Sequence, residues 1–378
     1  MILYKNGLAL LGDKLVKTDI VANHGKIIEI STEIVPDEQT EVVDCTNRYI
    51  LPALVDIHTH GANGYDFNTA DPAAHNTCAT GYPPPPADTD GMKKILDFYI
   101  AHGVGTVFPT VMTDDEERIC HQLELIVQLA KDYPEIKGIH LEGPFLSEKF
   151  CGAMPVQHLR NPSADLFFKF QKHANGMIKI VTVAPELPKA VEFIGEISDT
   201  GVVVSLGHSG ANGETVQKAI KAGAKSFTHW GNAMSQLDRH DLNMAGSAML
   251  SDNFCEVICD GKHVQKDVFR LLVRTKGLDK VVCITDSIMA TGLPDGDYTL
   301  AGNDVVVVNG DARLKSNGVR AGSTLDAYTG LANAVSFTGL PLHQAIRMWT
   351  VNPARLVGLS HRIGTIEVGK DADFILFG

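Results

Sequence analysis

The 378-residue sequence lacks the features that mark membrane-spanning and secreted proteins. No apolar run approaches the roughly 18 residues that a membrane helix needs. The opening MILYKNGLALLGDK contains no charged segment followed by a long apolar core. The seven cysteines form no Cys-x-x-Cys pair and no framework spacing, so we expect free thiols in a reducing compartment. These absences predict a cytoplasmic protein with no membrane partner.

The sequence also lacks an excess of positive charge. It contains 33 lysines and arginines against 45 aspartates and glutamates, which gives a formal net charge of −12. A nucleic-acid partner is not expected, because no basic field would offset its phosphates. An anionic small molecule is compatible with this balance, since it needs only a local positive pocket.

From residue 50 onward, the sequence alternates short β-branched runs with amphipathic segments. Eight runs resemble strands of a parallel sheet that is buried on both faces. They cover 49–57, 104–110, 136–142, 177–184, 202–207, 224–229, 255–260 and 280–286. Helices are predicted between them, at 92–103, 114–134, 212–224 and 264–277. This alternation predicts an α/β fold with a TIM-like (β/α)8 barrel. The alternative, a doubly wound open sheet, would carry a glycine-rich phosphate turn that we do not find.

The two ends of the chain have a different pattern. Residues 1–48 contain short alternating strands with turns at 6–7, 12–14 and 24–26, and 364–378 resembles two more strands. Neither end is large enough to bury a core alone. We therefore predict a small β-sandwich domain built from both termini, 1–50 and 358–378, beside a barrel at 51–357.

One insertion, 68–91, interrupts the alternation and contains four consecutive prolines. Such a run favours an extended, polyproline-type segment. Because it follows the first barrel strand, we expect a surface loop near the mouth of the barrel. A ligand for an SH3-type domain is the less favoured alternative.

Six residues able to bind a metal or carry a proton follow the predicted strands. They are His58 and His60 after the first run, Glu142 after the third, His208 after the fifth, His229 after the sixth and Asp286 after the eighth. A barrel gathers the carboxyl ends of its strands at one face, where active sites lie. Each residue alone is explained by hydrogen bonding or helix capping, but no run has a histidine at its amino end. Imidazole and carboxylate are ligands of Zn²⁺ and Fe²⁺, so the set predicts a catalytic metal site.

Five further motifs occur in a recognisable order: GHSGAN, THWGNAM, CDGKHV, ITDSIMATGLPDG and RAGSTL. With the six residues above, they resemble the N-acetylglucosamine-6-phosphate deacetylase family of the amidohydrolase superfamily. The resemblance covers nearly the whole chain, including the closing NPARLVGL and GTIEVGKDADFIL. Other branches of the superfamily place a carboxylated lysine after the fourth strand, whereas here that strand ends VTVAPE.

The resemblance implies a metal-dependent hydrolase that removes the acetyl group from an N-acetylhexosamine 6-phosphate. The sugar would be N-acetylglucosamine 6-phosphate or its galactosamine epimer, and the products the amino sugar phosphate and acetate. Glu142, His208 and His229 would hold the main ion, while His58 and His60 could hold a second one bridged through Glu142. We expect one or two divalent ions per chain, with zinc preferred and iron as the alternative.

The resemblance also assigns roles beyond the metal ligands. Asp286 would act as general base toward the attacking water and then as general acid toward the leaving amine. The residues expected to contact the substrate are Ala153, Met154, Asn232, Ala233, Arg239, His240, His263, Ala321 and Gly322.

Two departures from the family pattern affect the predicted chemistry. The family commonly reads Gly-Ala-His where this chain has Gly-Ala-Met154, and a thioether cannot polarise a carbonyl, so a second metal could take that task. The family's phosphate-binding arginine, which often acts across a homodimer interface, is replaced here by His240, with Arg239 beside it. Arg239 could serve with a shift of one residue. The alternative substrates are an unphosphorylated N-acetyl sugar and an N-acyl amino acid.

Overall fold

The computed structural model describes residues 1–68 and 89–377. The predicted proline-rich loop at 68–91 therefore lies almost entirely outside the described residues. Among the helices that are described, none is both long enough and apolar enough to cross a bilayer. The six cysteines of the described part are free thiols, as expected.

A six-stranded sheet joins the two ends of the chain. Its first five strands are β1 (Ile2–Leu11), β2 (Lys14–Asn23), β3 (Lys26–Ser31), β4 (Glu41–Asp44) and β5 (Tyr49–Pro52), and its sixth is the last strand of the chain. The turns predicted near residues 12 and 24 connect β1 to β2 and β2 to β3. The turn predicted at Asn6-Gly7 is wrong, because these residues form a bulge inside β1 where its register with β2 shifts. Asn6 adopts the left-handed φ of 64° there, and its N–H donates to Asp19.

The first predicted run, 49–57, proves to be two strands in two different sheets. β5 ends at Pro52, and β6 (Leu54–Thr59) begins the barrel. Proline has no N–H to continue a strand ladder. The N–H of Ala53 donates to the carbonyl of Asp373, and that of Leu54 donates to the carbonyl of Gly103. The chain thus changes sheets within two residues.

The barrel consists of eight parallel strands, as predicted. After β6 come the short hairpin β7 (Gly61–Ala62) and β8 (Tyr65–Asp66) and then the other barrel strands: β9 (Val104–Met112), β10 (Ile139–Glu142), β11 (Ile178–Val183), β12 (Val203–Leu206), β13 (Ser226–Phe227), β14 (Phe254–Ile258) and β15 (Val281–Ile284). Neighbours in this order pair side by side from β6 to β15. The barrel closes between β15 and β6. The N–H of Asp286, just after β15, donates to the carbonyl of His58 on β6 over 2.9 Å. The Thr285 hydroxyl donates to Asp56 at the same joint.

Helices cover the outside of the barrel. They are α1 (Thr89–Ala101), α2 (Glu116–Leu129), α3 (Ala164–His173), α4 (Ala190–Asp199), α5 (Gly213–Lys221), α6 (Asn243–Leu250), α7 (Lys266–Lys276), α8 (Ala327–Thr338), α9 (Leu342–Ala345) and α10 (Val351–Leu356). In α2, Ile119, Leu123 and Ile126 are buried at helical spacing, and the Asp115 carboxylate caps the first turn. The apolar faces of the helices pack against the apolar side chains of the barrel strands. Together they form the main hydrophobic core.

A second, antiparallel sheet between β15 and α8 was not predicted. It contains β16 (Gly296–Leu300), β17 (Asn303–Val308) and β18 (Asp311–Leu314). Its apolar face packs on the loops at the carboxyl ends of the barrel strands, where Tyr298 and Leu314 belong to one buried cluster with Met154 and Ile288. This sheet therefore forms part of the wall around the predicted site.

The chain ends in one strand, β19 (Phe374–Phe377), which pairs antiparallel with β5. The prediction of two strands in 364–378 is wrong in this respect. Residues before β19 form turns, and Asp371 makes an isolated bridge with Lys26 at the edge of the sheet. The Asp371 carboxylate binds the side chains of Lys26 and Arg362, which anchors the turn. The predicted division into 1–50 with 358–378 and 51–357 stays a prediction.

Candidate metal centre and active site

The structure brings the six predicted residues together at the carboxyl end of the barrel. His58 lies on β6, His60 follows it, and Glu142 is the last residue of β10. The other three, His208, His229 and Asp286, each stand two residues beyond a barrel strand. All six side chains are buried. The geometry therefore matches the convergence expected from their positions after the strands.

The carboxylate of Glu142 is shared by two pairs of histidines. Its Oε2 lies 3.2 Å from Nε2 of His60, and its Oε1 lies 3.4 Å from Nε2 of His58. Oε1 also lies 3.2 Å from Nε2 of His208 and 3.1 Å from Nε2 of His229. Each pair, taken with Glu142, offers ligand atoms within 4.8 Å of one another. A carboxylate between two such groups can bridge two ions.

In three of the four histidines Nδ1 faces an acceptor, which leaves Nε2 to face the site, whereas Nδ1 of His229 is buried without a partner among the described residues. Nδ1 of His58 lies 3.1 Å from a carboxylate oxygen of Glu256, and Nδ1 of His208 lies 2.9 Å from the carbonyl of Phe150. Nδ1 of His60 lies 3.3 Å from the carbonyl of Thr110. Such partners orient a metal-ligating ring and set its tautomer.

Two features of the ring nitrogens fit a divalent cation. Nε2 of His58 is buried without a hydrogen-bond partner among the described residues. The Nε2 atoms of His208 and His229 lie only 3.0 Å apart. Imidazole and carboxylate are the usual donors to zinc and iron, so the residues present fit such an ion.

Without a bound ion, the buried carboxylates raise the pKa of the neighbouring imidazole rings. Burial opposes a charge on His60, but hydrogen bonds from its ring to Asp286 and Glu142 raise its pKa to about 9. Burial likewise opposes a charge on His58, yet Glu142 and Asp286 raise its pKa well above the usual value. Ligating imidazoles are neutral, so an ion bound here would displace those protons.

Asp286 stands beside the His58–His60 pair. Its Oδ1 lies 3.0 Å from Nε2 of His60 and 3.5 Å from Nε2 of His58. Burial raises the pKa of this carboxyl, but the neighbouring charges of His58 and His60 outweigh that effect and lower it. Asp286 is therefore held as a carboxylate next to the candidate ligands, where it could accept a proton.

The loops that carry the site adopt a rare backbone conformation. The φ angles are 47° at His208, 30° at His229, 45° at Ala233 and 51° at Asp286. A non-glycine residue in this left-handed region costs roughly 1–3 kcal/mol, and such residues concentrate at functional sites. The strained conformation indicates that these loops position the site side chains at the expense of local stability.

A cavity of about 540 Å³ opens onto His60, Glu142 and Asp286. Most residues predicted to contact the substrate line it: Ala153, Met154, Asn232, Ala233, His263 and Gly322. His263 is held by Asp260, whose carboxylate accepts from its backbone N–H and contacts its ring. Ala321 is buried next to the wall, with its N–H donating to the carbonyl of Ala312.

Arg239 and His240 are not among the described residues that line the cavity of their own chain. Both are exposed, and Arg239 Nε donates to the His240 ring over 2.9 Å. The loop that carries them is fixed by carboxylates, because Asp238 accepts from the N–H of His240 and Asp241 accepts from the N–H of Gly213. Neither side chain reaches the cavity of its own chain, and the predicted contact of Arg239 or His240 with the substrate stays a prediction.

Several residues of the site are not predicted from the sequence. Glu256 contacts His58, and His140 packs its ring against His58 with centroids 4.4 Å apart. Burial, helped by the His58 charge, lowers the pKa of His140 well below its usual value. The available signals were an acid inside the apolar run CEVICD, Glu256, and a histidine two residues before Glu142. Arg313 and Arg320 line the cavity and come from the unpredicted sheet and the turn after it.

Comparison with known proteins agrees with this geometry. The amidohydrolase family model matches residues 49–378. The N-acetylglucosamine-6-phosphate deacetylase of Bacillus subtilis is 32% identical over 378 residues, covering 99% of this chain and 92% of the relative. The N-acetylgalactosamine-6-phosphate deacetylase of Escherichia coli O157:H7 is 30% identical, covering 86% of this chain and 82% of the relative. The crystal structure of N-acetylglucosamine-6-phosphate deacetylase from Pasteurella multocida superposes with a TM-score of 0.89 at 27% identity, covering 100% of this chain and 95% of that one.

Proposed function

The chain belongs to the amidohydrolase family and to its N-acetylglucosamine-6-phosphate deacetylase branch, and we propose that it hydrolyses the acetamide of an N-acetylhexosamine 6-phosphate. The products are acetate and the amino sugar phosphate. The observation that carries the proposal is the carboxylate of Glu142 between two histidine pairs, with Asp286 beside it on the wall of one cavity. Relatives that act on the glucosamine and galactosamine epimers have similar identity, so both sugars belong to the proposed substrate class.

We propose that Glu142, His208 and His229 hold the main divalent ion, and that His58 and His60 hold a second one with Glu142. When bound, such ions act as Lewis acids toward the amide carbonyl and lower the pKa of a water molecule to about 7. Zinc is the proposed metal, since it accepts this mixture of imidazole and carboxylate. The chain's own residues then orient the substrate and move the protons.

Asp286 is the proposed proton carrier. As a buried carboxylate it accepts a proton from the attacking water, and it then donates that proton to the nitrogen of the departing amine. An amine is a poor leaving group without this proton. The backbone hydrogen bond from Asp286 to His58 fixes the carboxylate relative to the β6 ligands.

Met154 occupies the place where the family commonly has a histidine. Its side chain is 5% exposed and belongs to the apolar cluster under the second sheet. A thioether in this position packs against neighbours and donates no proton to a carbonyl. We propose that the His58–His60 ion matters more here than in relatives that retain the histidine.

The proposed function is tested by measuring acetate release from a panel of substrates with the metal-loaded protein. The panel pairs N-acetylglucosamine 6-phosphate and N-acetylgalactosamine 6-phosphate with their unphosphorylated forms and with N-acyl amino acids. We expect the highest kcat/KM on a phosphorylated sugar. Activity confined to the N-acyl amino acids would contradict the proposal, and the ratio between the two sugar phosphates identifies the epimer.

We also propose that the protein is a cytoplasmic homodimer. The free thiols of the described part are compatible with a reducing compartment. Sedimentation of the purified chain measures its mass directly. Dimer formation would let Arg239 and His240 approach the cavity of the partner subunit, as the family resemblance implies.

A further inference from the structure

The wall of the cavity carries several positively charged side chains. Among the described lining residues, three have a permanent cation, namely Lys149, Arg313 and Arg320. The chain as a whole carries a formal charge of −12, so this local excess of cations is not a reflection of composition. Glu142 and Asp286 also line this cavity, but both belong to the candidate metal centre, so the three cations are the groups available to an anionic part of a ligand.

Arg313 and Arg320 are brought together by the turn that follows β18. Arg313 lies on β18, and Arg320 forms an isolated antiparallel bridge opposite it. Like charges directly across a strand pair are normally destabilising. Here the turn itself is tight, since the N–H of Leu314 donates to the carbonyl of Val319 over 2.8 Å.

One carboxylate organises both guanidinium groups. Arg320 Nε donates to Asp311 Oδ1 over 2.8 Å, and Arg313 Nε donates to Asp311 Oδ2 over 2.9 Å. Although partial burial raises it, the two arginines lower the pKa of Asp311 overall. Two cations therefore share one negative charge, which leaves a net positive charge. Asp311 also fixes the planes of the two guanidiniums, which reduces the entropy lost when they bind a ligand.

The same segment is joined to the proposed proton carrier. The N–H of Ser323 donates to the carbonyl of Asp286 over 2.7 Å, and Gly322 lines the cavity beside it. Arg320 precedes Gly322 by two residues, so their Cα atoms are at most about 7 Å apart. A ligand whose amide lies at Asp286 could therefore extend its far end toward the arginines.

We propose that Arg313 and Arg320 bind the anionic group of the substrate, a phosphate ester, in place of the arginine that the family carries after NAM. This inference rests on the proposed function. Guanidinium forks bind phosphate with two parallel hydrogen bonds, which makes arginine the preferred residue for this task. Arg239 and His240, the residues first predicted for it, are exposed outside the cavity of their own chain.

The test compares phosphorylated and unphosphorylated forms of one N-acetylhexosamine with the metal-loaded enzyme. We expect Arg320→Gln and Arg313→Gln each to lower kcat/KM on the phosphorylated sugar by about 10- to 100-fold, as for loss of a charge-assisted hydrogen bond. Activity on the unphosphorylated sugar should stay within about twofold, as expected if the metal site is intact. Equilibrium dialysis of glucosamine 6-phosphate against the metal-free variants gives a second readout that does not depend on turnover.

Three control variants separate binding from structure. Asp311→Asn keeps both cations and an amide oxygen that can still accept from them, so phosphate binding should be retained. If the cluster serves only to stabilise the hairpin, Asp311→Asn will lower kcat/KM on the phosphorylated sugar as much as the arginine variants do. That result would overturn the proposal. Arg274→Gln, an exposed change on α7, should have no effect. Arg239→Gln tests the alternative, in which Arg239 binds the phosphate. If this variant alone loses activity on the phosphorylated sugar, while Arg313→Gln and Arg320→Gln keep it, the proposal is also overturned.

The outcomes distinguish this inference from the proposed function. Wild-type enzyme that hydrolyses no N-acetylhexosamine 6-phosphate contradicts the proposed function, and the inference then falls with it. Wild-type enzyme that hydrolyses the sugar phosphate while Arg313→Gln and Arg320→Gln behave like wild type contradicts the inference alone.

Discussion

Nδ1 of His58 lies 3.1 Å from Oε2 of Glu256, and both side chains are completely buried. Glu256 comes from β14, which only β15 separates from β6 where the barrel closes. A carboxylate that accepts from the second nitrogen of a metal ligand fixes its orientation and makes it more basic. If His58 holds an ion as proposed, Glu256 would support its binding from outside the residues that line the cavity.

We expect Glu256→Gln to weaken binding of the ion at His58 and His60 by about 10- to 100-fold. The amide retains the size of the side chain but loses its negative charge. Metal titration followed by elemental analysis of dialysed protein measures the effect. Glu124→Gln is the matched control, since Glu124 contacts the ring of His173 over 2.7 Å in an exposed pair. Unchanged metal content in Glu256→Gln would show that the contact is only structural.

The two histidine pairs should differ in what they hold. Replacing both His58 and His60 with alanine should remove one ion and leave the other, because His208 and His229 still form a group with Glu142. Replacing His208 and His229 should remove the main ion. Elemental analysis of each double variant and of wild type gives the number of ions per chain, which tests this prediction. Loss of all metal from the His58–His60 variant would refute two separable sites.

Asp286→Asn isolates the proton carrier from the metal site. Asparagine tolerates a left-handed φ, which is 51° here, and has nearly the same size as aspartate. We expect turnover to fall by about 10²–10⁴-fold while the metal content stays unchanged. Asp279→Asn, an exposed aspartate that pairs with Arg347, serves as the control. Wild-type turnover in Asp286→Asn would exclude the proposed role.

The barrel and the six site residues could be predicted because their signals are local in the sequence. Parallel strands buried on both faces need continuous apolar runs, and the active face follows from which end of each run carries the polar residue. The division of 49–57 into two strands could not be predicted. Both halves are apolar, and only Pro52 marks the point where the chain passes from one sheet to the other.

The second sheet was overlooked although its turn has a strong signal. Asn309 and Gly310 connect β17 to β18 with φ values of 51° and 65°, as in a type I′ hairpin. The placement of Arg313 and Arg320 at the cavity is different, because it depends on how this sheet packs over the barrel. No spacing in the sequence reports that packing, and no spacing places Arg239 outside the cavity.

Asp371 gives a prediction on stability and pH. Burial opposes its ionisation, but Lys26 and Arg362 lower its pKa below the ordinary 3.8. A lowered pKa in the folded state stabilises the fold above pH 3.8, and the stabilisation is lost as the pH falls through the folded-state value. We expect Asp371→Asn to cost about 1.5–3 kcal/mol at pH 7, as for a hydrogen bond to a charged group.

Urea unfolding of Asp371→Asn and wild type at a series of pH values measures this difference. The gap should be widest near pH 7 and should narrow as the medium becomes strongly acidic. Glu29→Gln, an exposed change on β3 of the same sheet, is the control. A gap that does not change with pH would indicate that packing rather than charge holds the turn.

Gly322 links the position of Asp286 to the loop after β18. A Cβ at Gly322 would lie 3.0 Å from the carbonyl oxygen of Asp286 and 2.4 Å from Cγ2 of Ile288, with φ at +59°. Gly322→Ala should therefore displace Asp286, and a displacement of 1 Å at a reacting group can cost about 10²-fold in rate. Gly318→Ala is the matched control, because Gly318 also has a positive φ, +74°, but a Cβ there meets nothing within 4 Å. We expect kcat to fall in Gly322→Ala and to stay near wild type in Gly318→Ala, while both keep their metal. Equal losses in the two variants would assign the effect to backbone strain in the loop and not to contact with Asp286.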